Sequence, residues 1–285
     1  MSGRLYVIAT PLGNLEDLSE RARQTLGAVD LIVCEDTRRT GRLLARFKID
    51  TPRRSSHRFN EARRLAPLLG KLHEGHDIAL VTDAGTPAIA DPGALLVAAA
   101  REAGIVIVPI PGPSAPATLL SISGISADRY VFDGYLPHRA GERRRRLRIL
   151  ANEERPIVLF ETPHRIADTL SDMAGILGER VIVLGRELTK LHETVLRGSA
   201  SELRAQLPDP IRGEFVMVLS PTTGGAAGPD DADADALAKE WEAALEAEDG
   251  DPRRALRRMS RDRGLRRDEL SRQLAELGLG PTADR

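Results

Sequence analysis

Four short strand-like runs, at residues 5–9, 31–36, 78–81 and 106–110, divide the first 112 residues of the chain, and each is close to uninterrupted in its apolar character. A strand with one wet face alternates polar and apolar residues, whereas unbroken runs are expected where helices cover both faces of a sheet. Helical patterns lie between them. Asp17-Leu18-Ser19-Glu20 has capping-box spacing ahead of Ala22, Leu26 and Val29, and residues 61–72 carry leucines at 65, 68, 69 and 72 on one face. The alternation predicts a parallel α/β sheet, which confines ligands to the crevice outside the carboxyl ends of its strands.

Three of these runs empty into unusual loops. The first gives Ala9-Thr10-Pro11-Leu12-Gly13-Asn14, the third Thr82-Asp83-Ala84-Gly85-Thr86-Pro87-Ala88-Ile89-Ala90-Asp91-Pro92-Gly93, and the fourth Pro111-Gly112-Pro113-Ser114-Ala115. A plain turn needs one Gly or Pro. The third loop spends two carboxylates and two prolines among small residues that let a ligand approach backbone, so it is read as a binding site, with an apolar helix starting near Gly93.

From about residue 126 the pattern changes. Residues 130–136, 156–161, 180–187, 193–198 and 214–220 read as strands, with helices near 140–153, 163–177 and 199–207. Thr162-Pro163 fits an N-cap with proline at the first helical position, and Ser199 with Glu202 makes a capping box. The close succession of strands after residue 180 predicts a mixed sheet. The expected layout is therefore an N-terminal α/β domain over 1–125, a second α/β domain over 126–221 closing a cleft, a Gly-rich linker over 222–235, and a small helical basic region over 236–285.

The 285 residues carry a formal net charge of −1, but the charge is unevenly spread. Residues 230–251 hold ten acids against Lys239, while 252–285 hold ten arginines against five acids, with Leu256, Met259, Leu265, Leu270, Leu274 and Leu277 suiting two short helices. Within the body, Arg139, Arg143, Arg144, Arg145, Arg146 and Arg148 face only Glu142. Four consecutive arginines cover every side of a helix, so this segment is expected to project from the surface, and nucleic acid is the leading partner.

Several chemistries lose their signal. No Gly-x-x-x-x-Gly-Lys run exists and no Gly-x-Gly-x-x-Gly follows the first strand. His73 and His76 lack a third ligand nearby, so no metal is expected. Ser114 is not in a Gly-x-Ser-x-Gly elbow, because Pro116 breaks it. Cys34, the single cysteine, sits among Leu31, Ile32 and Val33 and reads as a buried strand position rather than a catalytic thiol. No run approaches eighteen apolar residues and the N-terminus leads straight into a strand, so the expectation is a soluble, cytoplasmic protein. What remains is a crevice of backbone groups, small residues and carboxylates, suited to a cofactor that carries positive charge.

The motifs Ala9-Thr10-Pro11-Leu12-Gly13-Asn14-Leu15-Glu16-Asp17, Glu35-Asp36-Thr37-Arg38, Asn60-Glu61, Asp83-Ala84-Gly85-Thr86-Pro87, Asp91-Pro92-Gly93, Pro109-Ile110-Pro111-Gly112, Gly134-Tyr135-Leu136-Pro137, Glu161-Thr162-Pro163-His164-Arg165 and Arg186-Glu187-Leu188-Thr189-Lys190 together resemble the tetrapyrrole methylase superfamily. The likeness is closer to its ribosomal branch, the ribosomal RNA small subunit methyltransferase I type, which methylates a cytidine 2′-hydroxyl. It spans about three quarters of the chain. Thr82 stands where Ser is expected, Phe59 where a second His commonly precedes Asn-Glu, and the tail is richer in arginine than usual.

The resemblance implies S-adenosylmethionine as methyl donor, bound in a cleft between two α/β domains, in a homodimer, with a small-subunit ribosomal RNA or ribosomal particle as partner. The family's cofactor contacts carry over onto Pro11, Asp83, Ala84, Gly85, Pro87, Ile89, Ser114 and Ala115, and onto Tyr135, Leu136, Leu188 and Phe215. Candidates for proton removal or substrate orientation are Glu35, Asp36, Glu61, Glu187, Lys190 and Glu193, which border the expected cleft. Arg38, His164, Arg165 and Arg186, with Arg143 to Arg146, would hold RNA phosphates. Two other readings stay open on the residues: a tetrapyrrole-type small-molecule methyltransferase, and a non-catalytic RNA-binding ribosome assembly factor.

Overall fold

The computed structural model describes residues 2–58, 60–222, 231–263, 267, 270, 271, 274 and 279, the side chains of 231–236 excepted. Chain contacts divide it into a unit spanning Met1–Thr222 and another spanning Thr223–Arg285.

The first unit begins β1 (Arg4–Ile8), a 3-10 turn at Leu15–Asp17, α1 (Glu20–Ala28), β2 (Leu31–Cys34), α2 (Thr37–Arg46), β3 (Arg53–Ser55), α3 (Glu61–His73), β4 (Ile78–Leu80), α4 (Ala94–Glu102), β5 (Val106–Ile110) and α5 (Ala115–Ile122). The strands form a parallel sheet in the order β3-β2-β4-β1-β5. As the unbroken runs require, both faces are covered. Leu26, Leu44 and Ile32 belong to one buried cluster and Leu68, Leu72, Ile78 and Leu96 to the other, each such side chain stabilising the fold by roughly 1.5–3 kcal/mol. Strand β3 escaped the sequence reading because Arg53 and Arg54 are exposed on an edge, where charged residues block further pairing. The connections leaving β1 and β4, which are neighbours, run toward opposite sides of the sheet. That makes their carboxyl ends a topological switch point.

The chain continues through β6 (Val131–Tyr135), α6 (Ala140–Ala151), β7 (Ile157–Glu161), α7 (Ile166–Leu177), β8 (Ile182–Arg186), β9 (Thr194–Gly198), α8 (Ala200–Ala205) and β10 (Phe215–Leu219). These strands form a mixed sheet, ordered β6-β7-β10-β8-β9, with β6 and β7 parallel and the other pairs antiparallel. Helices α6, α7 and α8 cover one face through Leu147, Leu170 and Leu203. Leu119 and Leu120 of α5 cover the other, against Val158, Val183 and Val216, so α5 joins the two sheets.

Three local expectations are corrected. Helix α1 is capped by Ser19, whose hydroxyl accepts from the Ala22 N–H, while Asp17 closes the preceding 3-10 turn. Helix α7 starts at Ile166 rather than Pro163, because Thr162 only turns the chain, its carbonyl accepting from the Arg165 and Ile166 N–H groups. Helix α6 does not project as a free basic rod: Leu147, Leu150 and Arg143 are buried, and Asp172 accepts from both Arg143 and Arg144. The capping box at Ser199 and Glu202 forms as read.

The second unit contains α9 (Asp231–Ala247) and α10 (Pro252–Arg263), which share a cluster of Leu237, Trp241, Ala255, Leu256 and Met259 with Leu270 and Leu274. Opposite charge runs meet within it, as Arg263 with Glu240 and Arg258 with Glu248. Leu265, Leu277, Phe59 and most of the 222–235 segment lie outside the described residues.

Candidate functional site

The loops after β1, β4 and β5 interlock at the switch point. Thr10 and Gly85 exchange backbone hydrogen bonds of 2.9 and 3.0 Å, the Thr10 hydroxyl donates to the Thr82 carbonyl, and the Thr86 hydroxyl donates to the Pro113 carbonyl. Close approach is built in on the facing side too: a Cβ at Gly13 would lie 2.1 Å from Lys190 Cγ, so only glycine lets the first loop lie against that lysine.

These loops and the second sheet enclose a cleft of about 310 Å³, within the size range of cofactor sites. Its apolar side includes Leu12, Leu188, Phe215 and Val216, and its small residues are Ala84 and Ala115. Gly85, Ile89 and Ser114 line an adjoining recess. Ser114 begins α5 without a side-chain capping bond, and since Pro116 has no N–H, the Ala115 and Ala117 N–H groups are the first-turn donors that would face an anionic group there. Of the expected cofactor contacts, Asp83, Ala84, Ala115, Tyr135, Leu188 and Phe215 therefore meet in one cleft. Leu136 lines a neighbouring cavity, and Pro11 and Pro87 are buried within their loops.

Four carboxylates reach the cleft, against two cations. Asp83 accepts from the Asp36 N–H at 3.1 Å and pairs with Arg39 at 3.4 Å; burial still holds its pKa above the usual range. Asp91 accepts from the Thr82 hydroxyl at 2.8 Å and is pushed up by burial and by Asp83. Lys190 is clamped between Glu187 at 2.9 Å and Glu214 at 3.1 Å. Burial opposes its charge, but those two carboxylates outweigh burial and raise its pKa. Glu35 differs from all of these. Among the described residues it has no hydrogen-bond or ion-pair partner, and burial, then Asp83 and Asp91, push its pKa up.

The other expected catalytic residues have structural duties. Asp36 caps α2 by accepting from the Arg38 N–H, which lowers its pKa. Glu61 is buried and caps α4 through the Gly93 and Leu95 N–H groups, away from the cleft. Glu187 accepts from the Glu214 N–H as well as from Lys190, and Glu193 accepts from the Thr189 N–H. Sequence reasoning missed Arg39 and Glu214, and read Asp91 only as one of the two carboxylates of the binding loop. Arg39 was findable, since it stands three residues after the Asp36 cap and so shares its face of α2.

The expected phosphate contacts divide similarly. Arg143 and Arg144 are taken up by Asp172, Arg146 by Asp133, Arg165 by the Leu136 and Pro137 carbonyls and Glu161, and Arg186 by the Arg212 carbonyl. Arg38, Arg145 and His164 are exposed.

The parallel sheet's switch-point loops face a mixed sheet across a small-residue, acid-lined cleft. The family described as Tetrapyrrole (Corrin/Porphyrin) Methylases matches residues 4–204, and the chain belongs to it. Within that class it falls with the ribosomal RNA small subunit methyltransferase I proteins. It is 46% identical to the one from Haemophilus influenzae over 77% of this chain and 79% of that one, and 48% identical to the one from Synechocystis over 78% and 80%. Among solved structures, uroporphyrin-III-C-methyltransferase from Thermus thermophilus shares the fold, with a TM-score of 0.56 at 19% identity over 76% of this chain and 94% of that one. Methyltransferases of this family use S-adenosylmethionine, and the acid-lined, apolar-walled cleft fits a cationic nucleoside of that kind.

Proposed function

We propose that the protein transfers the methyl group of S-adenosylmethionine to the 2′-hydroxyl of a cytidine in small-subunit ribosomal RNA, with Glu35 accepting the hydroxyl proton. The carrying observation is the partner-free, half-buried carboxylate of Glu35 in the wall of the donor cleft. When bound, the donor supplies a methyl already activated on a sulfonium, so the chain's main tasks are alignment and exclusion of water, worth roughly 7–11 kcal/mol in well-oriented pairs. Leu188, Phe215 and Val216 provide the apolar wall, and Asp83 and Asp91 the negative field toward the sulfonium. With the donor bound, Glu35 would accept the proton that the ribose hydroxyl gives up as its oxygen takes the methyl group, the carbon–sulfur electron pair staying with the donor's sulfur. A pKa above the ordinary glutamate value makes Glu35 a better proton acceptor. Lys190 is held protonated by Glu187 and Glu214 and orients rather than accepts.

Cytoplasmic action and a homodimer belong to the same proposal, supported by the family resemblance. Incubation with isotopically labelled S-adenosylmethionine and undermodified small-subunit particles should place the label on a cytidine ribose. Label on a base, or none with full donor binding, would overturn the reading. Glu35→Gln should lower the transfer rate by about 10²–10⁴ while leaving the donor Kd within a few-fold.

A further inference from the structure

A second cavity of about 650 Å³ adjoins the donor cleft, and Tyr135 lines both. The position of that ring is set by a bulge. Along β6 and β7, Phe132 pairs with Val158 and Gly134 with Leu159, which leaves Asp133 as an extra residue. Gly134 takes a φ of +64°, open to glycine and strained for other residues, and Asp133 accepts two hydrogen bonds from Arg146. Bulges bend a strand and re-aim its side chains. Here the result is a half-exposed Tyr135 at the seam between the cavities, its ring centroid 5.5 Å from that of Phe160.

The polar lining of the second cavity is basic where it is unspent. Arg58 is exposed and, among the described residues, makes no hydrogen bond or ion pair, yet it lies close enough to Glu35 and Asp91 to draw the pKa of each downward. It therefore stands at the same seam. Arg165, also in the lining, directs one terminal nitrogen to the Leu136 and Pro137 carbonyls, while its buried Nε has no hydrogen-bond partner among the described residues. His138 Nδ1 lies 3.5 Å from the other terminal nitrogen.

We propose that this second cavity receives the target nucleotide of the RNA strand, its base stacked on Tyr135 and an adjoining phosphate held by Arg58, so that its ribose is presented at the seam to Glu35. The inference rests on the reading of the donor cleft given above. RNA is read sequence-specifically where bases are splayed out of the helix onto aromatic side chains, and arginine is suited to a phosphate through its planar fork of donors. The exposed Tyr135 ring, the Arg58 guanidinium unpaired among the described residues and a cavity of nucleotide-compatible size match one such unit. The arginine helix α6 then contributes through Arg146, which pins the bulge, as a positioning residue.

The experiment compares wild type with Arg58→Glu, Arg58→Ala and Arg58→Lys in the full-length protein. Donor Kd is measured by calorimetry, and affinity for undermodified small-subunit particles by filter retention across a salt series. Expected are an unchanged donor Kd in all three, particle binding at least tenfold weaker in Arg58→Glu, near-wild-type binding in Arg58→Lys, and a salt slope about 0.7 shallower in Arg58→Ala, as one single-strand phosphate is no longer neutralised. Unchanged particle binding and slope in Arg58→Glu would overturn the inference, as would loss of donor binding in the same variant. Particle binding does not require turnover, so a wild type that binds particles but transfers no methyl group would count against the proposed reaction while these variants still decide the second cavity.

Discussion

Glu35 shows how one environment sets both chemistry and a stability cost. In the unfolded chain it ionises near the ordinary glutamate value, about 4.3; in the fold, burial and the Asp83 and Asp91 charges raise its pKa. The unfolded state therefore gives up the proton first as pH rises, and the folded state carries a penalty that is complete above the raised value and disappears below the ordinary one. Glu35→Gln removes that penalty, so the variant should melt higher than wild type at pH 8 and the gap should close as pH falls toward 4, followed by differential scanning fluorimetry. A lower melting temperature at pH 8 would contradict the sign. Wild-type methyl transfer should show an acid limb with its inflection above the ordinary glutamate range. Glu35 was legible in the sequence as one of six candidates, because each bordered a loop motif. The choice among them was not, since it depends on which carboxylates already accept backbone N–H groups, and those donors lie as far away as Gly93 is from Glu61.

At the scale of elements, the helices are held by caps of two kinds. Local caps could be read, as at Ser199 with Glu202, because both partners lie within one turn. The cap of α4 could not. Gly93 has no side chain to supply an acceptor, and Glu61 reaches across from the start of α3 to accept from Gly93 at 2.9 Å and Leu95 at 3.2 Å. Glu61→Ala leaves two N–H groups orphaned and should cost about 1–2 kcal/mol in urea unfolding. Glu61→Gln retains an acceptor and should lose less. Because α4 follows directly on the loop that carries Asp83 and Asp91, Glu61→Ala should also weaken donor binding; an unchanged midpoint and Kd would show that the cap is dispensable. Helix α6 carries the converse lesson. Its arginines looked like a free basic face because Asp133 and Asp172, which neutralise Arg146, Arg143 and Arg144, lie on other elements.

Over the whole molecule, the chain divides into two units. The unit ending at Thr222 contains both sheets and the cleft, whereas in the second unit Arg257 and Arg261 of α10 remain exposed and, among the described residues, unpaired after Arg258 and Arg263 are matched to acids. A chain ending at Thr222 should keep its donor Kd, since every residue lining the cleft is retained. It should bind small-subunit particles more weakly and with a shallower salt dependence, measured by filter retention, because each phosphate that no arginine neutralises keeps its condensed counterions. Equal affinity and slope would remove the second unit from RNA binding. The sequence alone determined the parallel and mixed sheets, the loops that become the cleft and the family, because strand burial, turn chemistry and loop motifs are written in residues close together along the chain. Tertiary structure alone decided which carboxylate stays free, which arginines are spent inside the fold, and that a bulge at Asp133 places Tyr135 between two cavities. These depend on partners distant in sequence, whose approach is fixed only when the sheets and helices pack.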